Sequence, residues 1–334
     1  MWNWFSFNIF LQFNKTFIIF AYQKHEQNCI ETNKTIATMP KYINPVTDFG
    51  FKRIFKDEEI TRGFLNALLQ KYDPATVIKT VTITDGELDE TSKAIRRVVY
   101  DVHCTTDTGE EFVIEMQNEA QEFFQERIVY YLARSASRQQ TKGVIKHIDE
   151  NGKPKETKWN YNLKRIYGVF FMNFKDMEHP QPLSHFALLE TEKHYQDTDV
   201  FQYWKIQMPL YREMKESDCK DDIDKWIYNL SNMETMETQL PFASEQPLFV
   251  RLGKLAAYSN LSAQQQIQYD DSYNNYLAYM GAQEYQMNEG IRIGIEKGEM
   301  SKAITIARNL KAAGLDISFI AQNTGLTTKQ IQSL

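Results

Sequence analysis

The chain has 334 residues, 42% hydrophobic and 13% aromatic, enough to fill one large core with an appendage or two modest ones. A formal net charge of −6 excludes a protein that is basic as a whole, so any polyanionic partner has to be met by local patches of Lys and Arg. Cys29, Cys104 and Cys219 are widely separated and lack metal-ligand spacing, which points to a reduced, cytoplasmic protein.

Residues 1–38 differ in character from the rest of the chain. "MWNWFSFNIFLQFNKTFIIFAYQK" is apolar and aromatic, but Asn3, Asn8, Gln12, Asn14 and Lys15 interrupt it. It has neither the basic start nor the small-residue cleavage site of a signal peptide. Its apolar runs are too broken for a membrane span, so the favoured reading is an extension ahead of a start at Met39, with a membrane anchor as the alternative. From Ile43 to Lys71, Phe51, Ile54, Phe55, Phe64, Leu65, Leu68 and Leu69 recur at helical spacing and form a core face. Asp48 is placed to cap the helix start, and Lys52 and Arg53 lie one turn in. Val77–Thr84 alternates as a strand. The acidic stretch Asp85–Ala94 leads to Arg96 and Arg97, which either face a phosphate backbone or pair with that stretch.

The centre of the chain is a hairpin. Val98–Thr106 and Glu110–Gln117 read as strands joined by Asp107-Thr108-Gly109, a three-residue loop with Gly in the left-handed position. That loop sets Thr106 against Glu110 and therefore Asp101 against Glu115. Tyr100, Val102 and Cys104 share a buried face with Phe112, Ile114 and Met116, while Asp101, His103 and Thr105 share the other with Val113, Glu115 and Gln117. Two carboxylates directly opposite each other destabilise a sheet by up to ~1 kcal/mol. A divalent cation held by both carboxylates, a backbone carbonyl and water offsets that repulsion and suits Mg²⁺. The alternative is a solvated face whose charges pair with Lys or Arg.

Asp101, the hairpin, and Glu115-Met116-Gln117 resemble the D…(D/E)-x-K signature of the PD-(D/E)XK nuclease superfamily, with Gln in the Lys position. "YDVHC…GEEFVIEMQ" and "DFGFKRIF" resemble in particular the recombination-promoting nucleases, or PD-(D/E)XK family transposases, and the likeness runs from about Met39 to the C-terminus. The resemblance implies an α/β, restriction-endonuclease-like mixed sheet flanked by helices. It assigns Asp101, Glu115 and the Met116 carbonyl to the metal, and Asp101, Glu115 and Gln117 to catalysis. It also places "DxxFK" near the site, where Lys52 contacts phosphate, and makes Glu58 or Glu59 the acid of the first helix.

After the hairpin a helix is expected from about Glu119 to Gln140. Arg127, Tyr131, Arg134 and Arg138 stand four, three and four apart and form one stripe, with Ile128, Leu132 and Ser135 beside it. Such a row suits backbone phosphates and a stacked base; otherwise it is a solvated face paired with Glu122 and Glu126. The superfamily fold puts this helix against the active face, which favours the DNA-binding role, for Arg127 above all. Lys142–Lys158 is a polar loop or an extended hairpin. Arg165–Phe174 reads as a strand buried on both faces, Phe186–Glu190 and Phe201–Pro209 as further strands, and Lys220–Leu230 as a helix. His179, His185 and His194 have no ligand spacing.

From Glu234 the strand signal stops, and Pro247–Tyr258 and Ile267–Gln286 read as helices. Gly290, Gly294 and Gly298 then mark either a close helix–helix contact, within the chain or between subunits, or a flexible linker. Ser301–Ala313, Ile317–Asn323 and Thr327–Leu334 form three short helices resembling a helix-turn-helix, with a capping box at Thr327 and Gln330. Lys302, Arg308, Lys311 and Lys329 against Asp316 give this tail a charge of +3, leaving −9 for residues 1–300. Lys329 is its candidate DNA contact; the alternative is a tail bundle serving assembly.

The domains expected are therefore the extension 1–38, a nuclease-like domain 39–232, a helical region 233–300 and the tail 301–334. The function expected is that of a Mg²⁺-dependent DNA endonuclease of transposase or recombination-promoting type. It would need no small-molecule cofactor and no membrane, and it has features of a homo-oligomer. The alternative keeps the fold as a catalytically weak or inactive DNA-binding regulator that uses its tail.

Overall fold

The computed structural model describes residues 40–84, 100–141, 144–148, 153–158 and 161–334. The extension 1–38, Val98 and Val99, the acidic stretch Asp85–Ala94, and Arg96 and Arg97 lie outside the described residues. The described residues form two compact units, divided between Tyr269 and Asp270.

In the first unit, helix α1 (Asp48–Phe55) starts one residue away from the cap expected. Thr47, whose backbone is extended as a cap requires, accepts the Gly50 N–H at 3.0 Å. Asp48 is instead the first helical residue and pairs with Lys52 at 2.5 Å. Asp57 caps α2 (Glu58–Gln70) by accepting from the Ile60 amide. The predicted apolar stripe of both helices is buried, from Phe51 to Leu69. Strand β1 (Val81–Thr84) is shorter than its alternation suggested, because the amides of Lys79 and Thr80 donate to the Asp107 carboxylate and not to a neighbouring strand.

Strands β2 (Val102–Thr106) and β3 (Glu111–Gln117) form the expected hairpin. The Thr106 N–H donates to the Glu110 carbonyl at 3.0 Å, and Gly109 sits at φ 87°. Val102 pairs with Ile114 and Cys104 with Phe112, so the register carries Asp101 opposite Glu115. Two features differ from expectation. Both faces of β3 are covered, since helices flank the sheet on both sides: Glu111, Val113, Glu115 and Gln117 are buried as Phe112 and Ile114 are, and Met116, expected on the buried face, is the one half-buried position. Tyr100, preceding the first ladder pair, does not keep the alternation; its ring packs with Val113, Ile128 and Leu132, and its hydroxyl reaches Ser135 at 3.1 Å.

Helix α3 (Phe124–Thr141) begins later than Glu119, after Phe123 turns the chain at φ 62°. Lys142–Lys158 contains the extended hairpin, with β4 (Val144–Ile148) against β5 (Pro154–Lys158). Strand β6 (Ile166–Met172) is buried at every position, as a strand parallel to both neighbours should be. Its Gly168 lets α3 close on the sheet: a Cβ there would lie 3.2 Å from Leu132 and 2.5 Å from Phe170. Strands β7 (Leu183–Leu189) and β8 (Gln196–Gln207) complete a mixed six-stranded sheet of order β1-β2-β3-β6-β8-β7.

Phe170 faces α3 and packs with Phe124 and Ile128. Phe171 faces the other way, its ring centroid 5.4 to 5.5 Å from those of Phe51, Phe55 and Phe64. The short α4 (Met208–Arg212), then α5 (Asp222–Asn232) and α6 (Pro247–Ala256) extend that second layer, with Trp226 between Phe64 and Phe249.

Helix α7 (Ala263–Ala312) runs unbroken for 50 residues. Gly290, Gly294 and Gly298 therefore lie inside a helix, and the flexible-linker reading does not hold. In the second unit, α8 (Ile317–Thr324) and α9 (Thr328–Gln332) fold back on the end of α7 around Ala307, Ile320, Leu326 and Ile331. Gly314 and Gly325 take the left-handed conformation at the two turns, and Thr327 and Gln330 form the expected capping box. No helix among the described residues is long and apolar enough to cross a membrane.

Candidate active site

Asp101 and Glu115 hold each other in place through the backbone. Glu115 Oε1 accepts the Asp101 N–H at 3.0 Å, and Asp101 Oδ2 accepts the Met116 N–H at 2.8 Å. Each carboxylate thus commits one oxygen to the opposite strand, and its second oxygen has no hydrogen-bond partner among the described residues. Glu115 is only 2% exposed and forms no ion pair among the described residues, so the solvated-face alternative fails. Burial, and then the charge of Asp101, push the Glu115 carboxyl well above the usual range. Burial also raises Asp101.

Two cations act on this pair through space. Lys52 and Arg127 each lower both carboxyls, but less than burial raises them. Lys52 makes its contact with Asp48, whose own charge raises Asp101. Of the acids on α1 and α2, Asp48 is the one whose charge acts on Asp101. Glu58 accepts from the Ile83 amide, and Glu59 pairs with Arg251 at 2.7 Å.

Met116 faces the same gap. The bonds from Glu111 N–H to the Arg165 carbonyl and from Asn173 N–H to the Gln117 carbonyl show that odd positions of β3 serve β6. Even positions serve β2, whose ladder ends at Val102, so the Met116 backbone points towards Asp101 beyond the last pair. Among the described residues no three or more His, Cys, Asp and Glu side chains form a metal cage. What stands together is two carboxylates with an uncommitted oxygen each and one strand-end carbonyl. That is a hard-oxygen set with the remaining positions left to water, and it fits a divalent cation.

Gln117 is 6% exposed, and its Oε1 accepts from Arg127 Nη1 at 3.4 Å. Its amide N–H groups have no acceptor among the described residues. Arg127 is fixed further by Tyr131 Oη and Gln121 Oε1, both at 2.9 Å, and its guanidinium lies 5.0 Å from the Tyr131 ring centre. Tyr131 itself is 8% exposed and meets Tyr100 edge-on, which corrects its reading as a platform for a base: it positions Arg127. Arg134 is half-buried, with a buried Nε that finds no partner, and neither it nor Arg127 forms an ion pair with Glu122 or Glu126 among the described residues. Asn118 and Asn173, which sequence reasoning missed, tie down the end of β3. Asn118 donates to the Val46 carbonyl at 3.0 Å and accepts from Asn173 at 3.2 Å. An Asn directly after Glu-x-Gln was the available signal. Lys329 is exposed in α9 of the second unit.

A mixed sheet flanked by helices, with two carboxylates facing each other across adjoining central strands, defines the restriction-endonuclease-like class of nuclease fold. The sequence model of the family described as PD-(D/E)XK nuclease family transposase matches residues 45–279, and the chain belongs to that family. No curated protein and no solved structure matches it.

Proposed function

We propose that the protein is a Mg²⁺-dependent DNA endonuclease serving a transposase-type or recombination-promoting process. The observation that carries this is the reciprocal clamp of Asp101 and Glu115, which holds a half-buried and a buried carboxylate opposite each other with one oxygen of each uncommitted. Asp101, Glu115 and the Met116 carbonyl would hold the cation. When bound, it supplies Lewis acidity and a water of lowered pKa. Gln117 presents its free amide N–H groups to the attacking water or a phosphoryl oxygen, and holds no charge of its own. Arg127, fixed by Gln117, Gln121 and Tyr131, supplies the positive charge that a Lys at position 117 would bring. Lys52 and Arg134 offer further charge to the backbone of the substrate, and Lys329 does so from the tail.

The direct test is cleavage of plasmid DNA with Mg²⁺, with Ca²⁺ and with chelator, by the native chain and by Asp101→Ala. Cleavage with Mg²⁺ alone, lost in Asp101→Ala, is the expected result. DNA binding without cleavage under any of these conditions would favour the second reading, a DNA-binding regulator, which the three-helix tail and the uncharged Gln117 support.

A further inference from the structure

The long helix carries a surface that the nuclease reading does not use. Between residues 284 and 302 every position of α7 but Glu289 is exposed. On this stretch Glu284, Met287, Ile291, Ile295, Gly298 and Lys302 succeed one another at steps of three or four and so share one stripe. Met287, Ile291 and Ile295 are 61%, 53% and 57% exposed, more than half of each side chain left in water. Ala307, which anchors the tail core, lies about four and a half turns beyond Ile291 and so on the opposite side of the helix. The tail therefore does not cover the stripe. Arg292 bonds to Glu289 and Glu296 at 2.6 Å each, so the charges next to the stripe are paired within the helix itself.

We propose that this stripe is the interface with a second copy of the chain, packed antiparallel on its own α7. The order of residues argues for that occupant. Glu284 lies seven residues before Ile291, and Lys302 seven after Ile295. An antiparallel two-fold axis at the level of Ile293 sets Ile291 against the partner's Ile295, and Glu284 against the partner's Lys302 at both ends. A parallel pair would set Glu284 on Glu284 and Lys302 on Lys302, like charge on like. Gly294 and Gly298 present no side chain on the stripe and let the two backbones approach. The contact is isologous and closes on itself, as a dimer interface must. It spans about 27 Å of helix, at the small end for stable association, so the dimer is expected to dissociate in the micromolar range.

Sedimentation velocity of the full chain over a concentration series tests this, with Glu284→Lys and Lys302→Glu made singly. Each single variant sets like charges at both ends and should raise the dissociation constant about tenfold. Mixing the two single variants restores both pairs, so the mixture should dimerise as the native chain does although neither component does alone. Ile291→Lys should abolish the dimer while leaving the helical circular dichroism unchanged. A native chain that stays monomeric throughout the series overturns the proposal. So do single variants that dimerise like the native chain, the outcome a parallel pair or another interface predicts, and a mixture that fails to recover.

Discussion

At the scale of single residues, the site is governed by what burial does to two carboxyls that cannot move apart. Both are raised, so in the metal-free protein the folded state binds protons more tightly here than the unfolded chain does. That difference sets the sign. The contribution of the pair is fully present below the ordinary carboxylate range and is lost as pH rises through the raised folded values. Glu115→Gln keeps an acceptor for the Asp101 amide and removes the titration. It should stabilise the metal-free protein by about 1–2 kcal/mol at neutral pH and above, and flatten this part of its pH profile. A cation held by the pair would displace those protons, so on the proposed function the rise in Tm with Mg²⁺ should grow from pH 6 to pH 8 in the native chain and vanish in Glu115→Gln. A Mg²⁺ increment that is the same at both pH values in native and variant chains alike would remove the pair from the metal site. Catalytically, Asp101→Asn and Glu115→Gln should each lower cleavage by about a thousandfold or more, the worth of several kcal/mol of charge stabilisation.

At the scale of elements, the division between what could be read from sequence and what could not tracks the range of the interaction. The β2–β3 hairpin was legible because a three-residue turn ending in Gly fixes a register, and the period of two then carries it to Asp101 and Glu115. Tyr100 was misplaced because alternation fails where the ladder ends. Thr47 displaced Asp48 as the cap because the choice depends on which residue takes the extended backbone, and both residue types qualify. The start of α3 was hidden by Phe123, which accepts a left-handed conformation that its type gives no reason to expect. The continuity of α7 through three glycines was one of two readings left open, since each Gly lowers helix propensity while their spacing of four suits a helix.

The contact between α3 and the end of β3 is the element-level feature with the largest consequence. Arg127 reaches Gln117 from a helix that packs close over Gly168 of β6, and no local pattern encodes that approach. Arg127→Ala should therefore lower cleavage about a hundredfold with little change in Mg²⁺ affinity. Gln117→Lys in the native background places a second cation beside the guanidinium and should bring little gain. In the Arg127→Ala background the same change should recover most of the loss. If Gln117→Lys fails to rescue Arg127→Ala while Mg²⁺ still binds, the charge at this place is not what Arg127 provides.

At the scale of the whole molecule, a chain of net charge −6 keeps its surplus of positive charge in the last 34 residues, and the tail's own contacts show which of those charges are free to act. Lys311 is already committed: its Nζ donates to the carbonyls of Ile331 and Gln332 at 3.0 and 2.9 Å, closing the C-terminal end of α9. Lys329 makes no ion pair among the described residues and sits in the first turn of α9, where a recognition helix meets backbone or base edges. The two lysines should behave oppositely. Lys311→Met should destabilise the tail by about 1 kcal/mol and leave the salt dependence of DNA binding nearly intact in whatever fraction stays folded. Lys329→Ala should leave stability unchanged, weaken binding to all sequences alike, and lower the slope of log K against log salt by about 0.9, one phosphate contact's worth. Fluorescence anisotropy with a labelled duplex at several salt concentrations measures both. A slope that Lys329→Ala does not move would mean that the tail's charge is not spent on DNA.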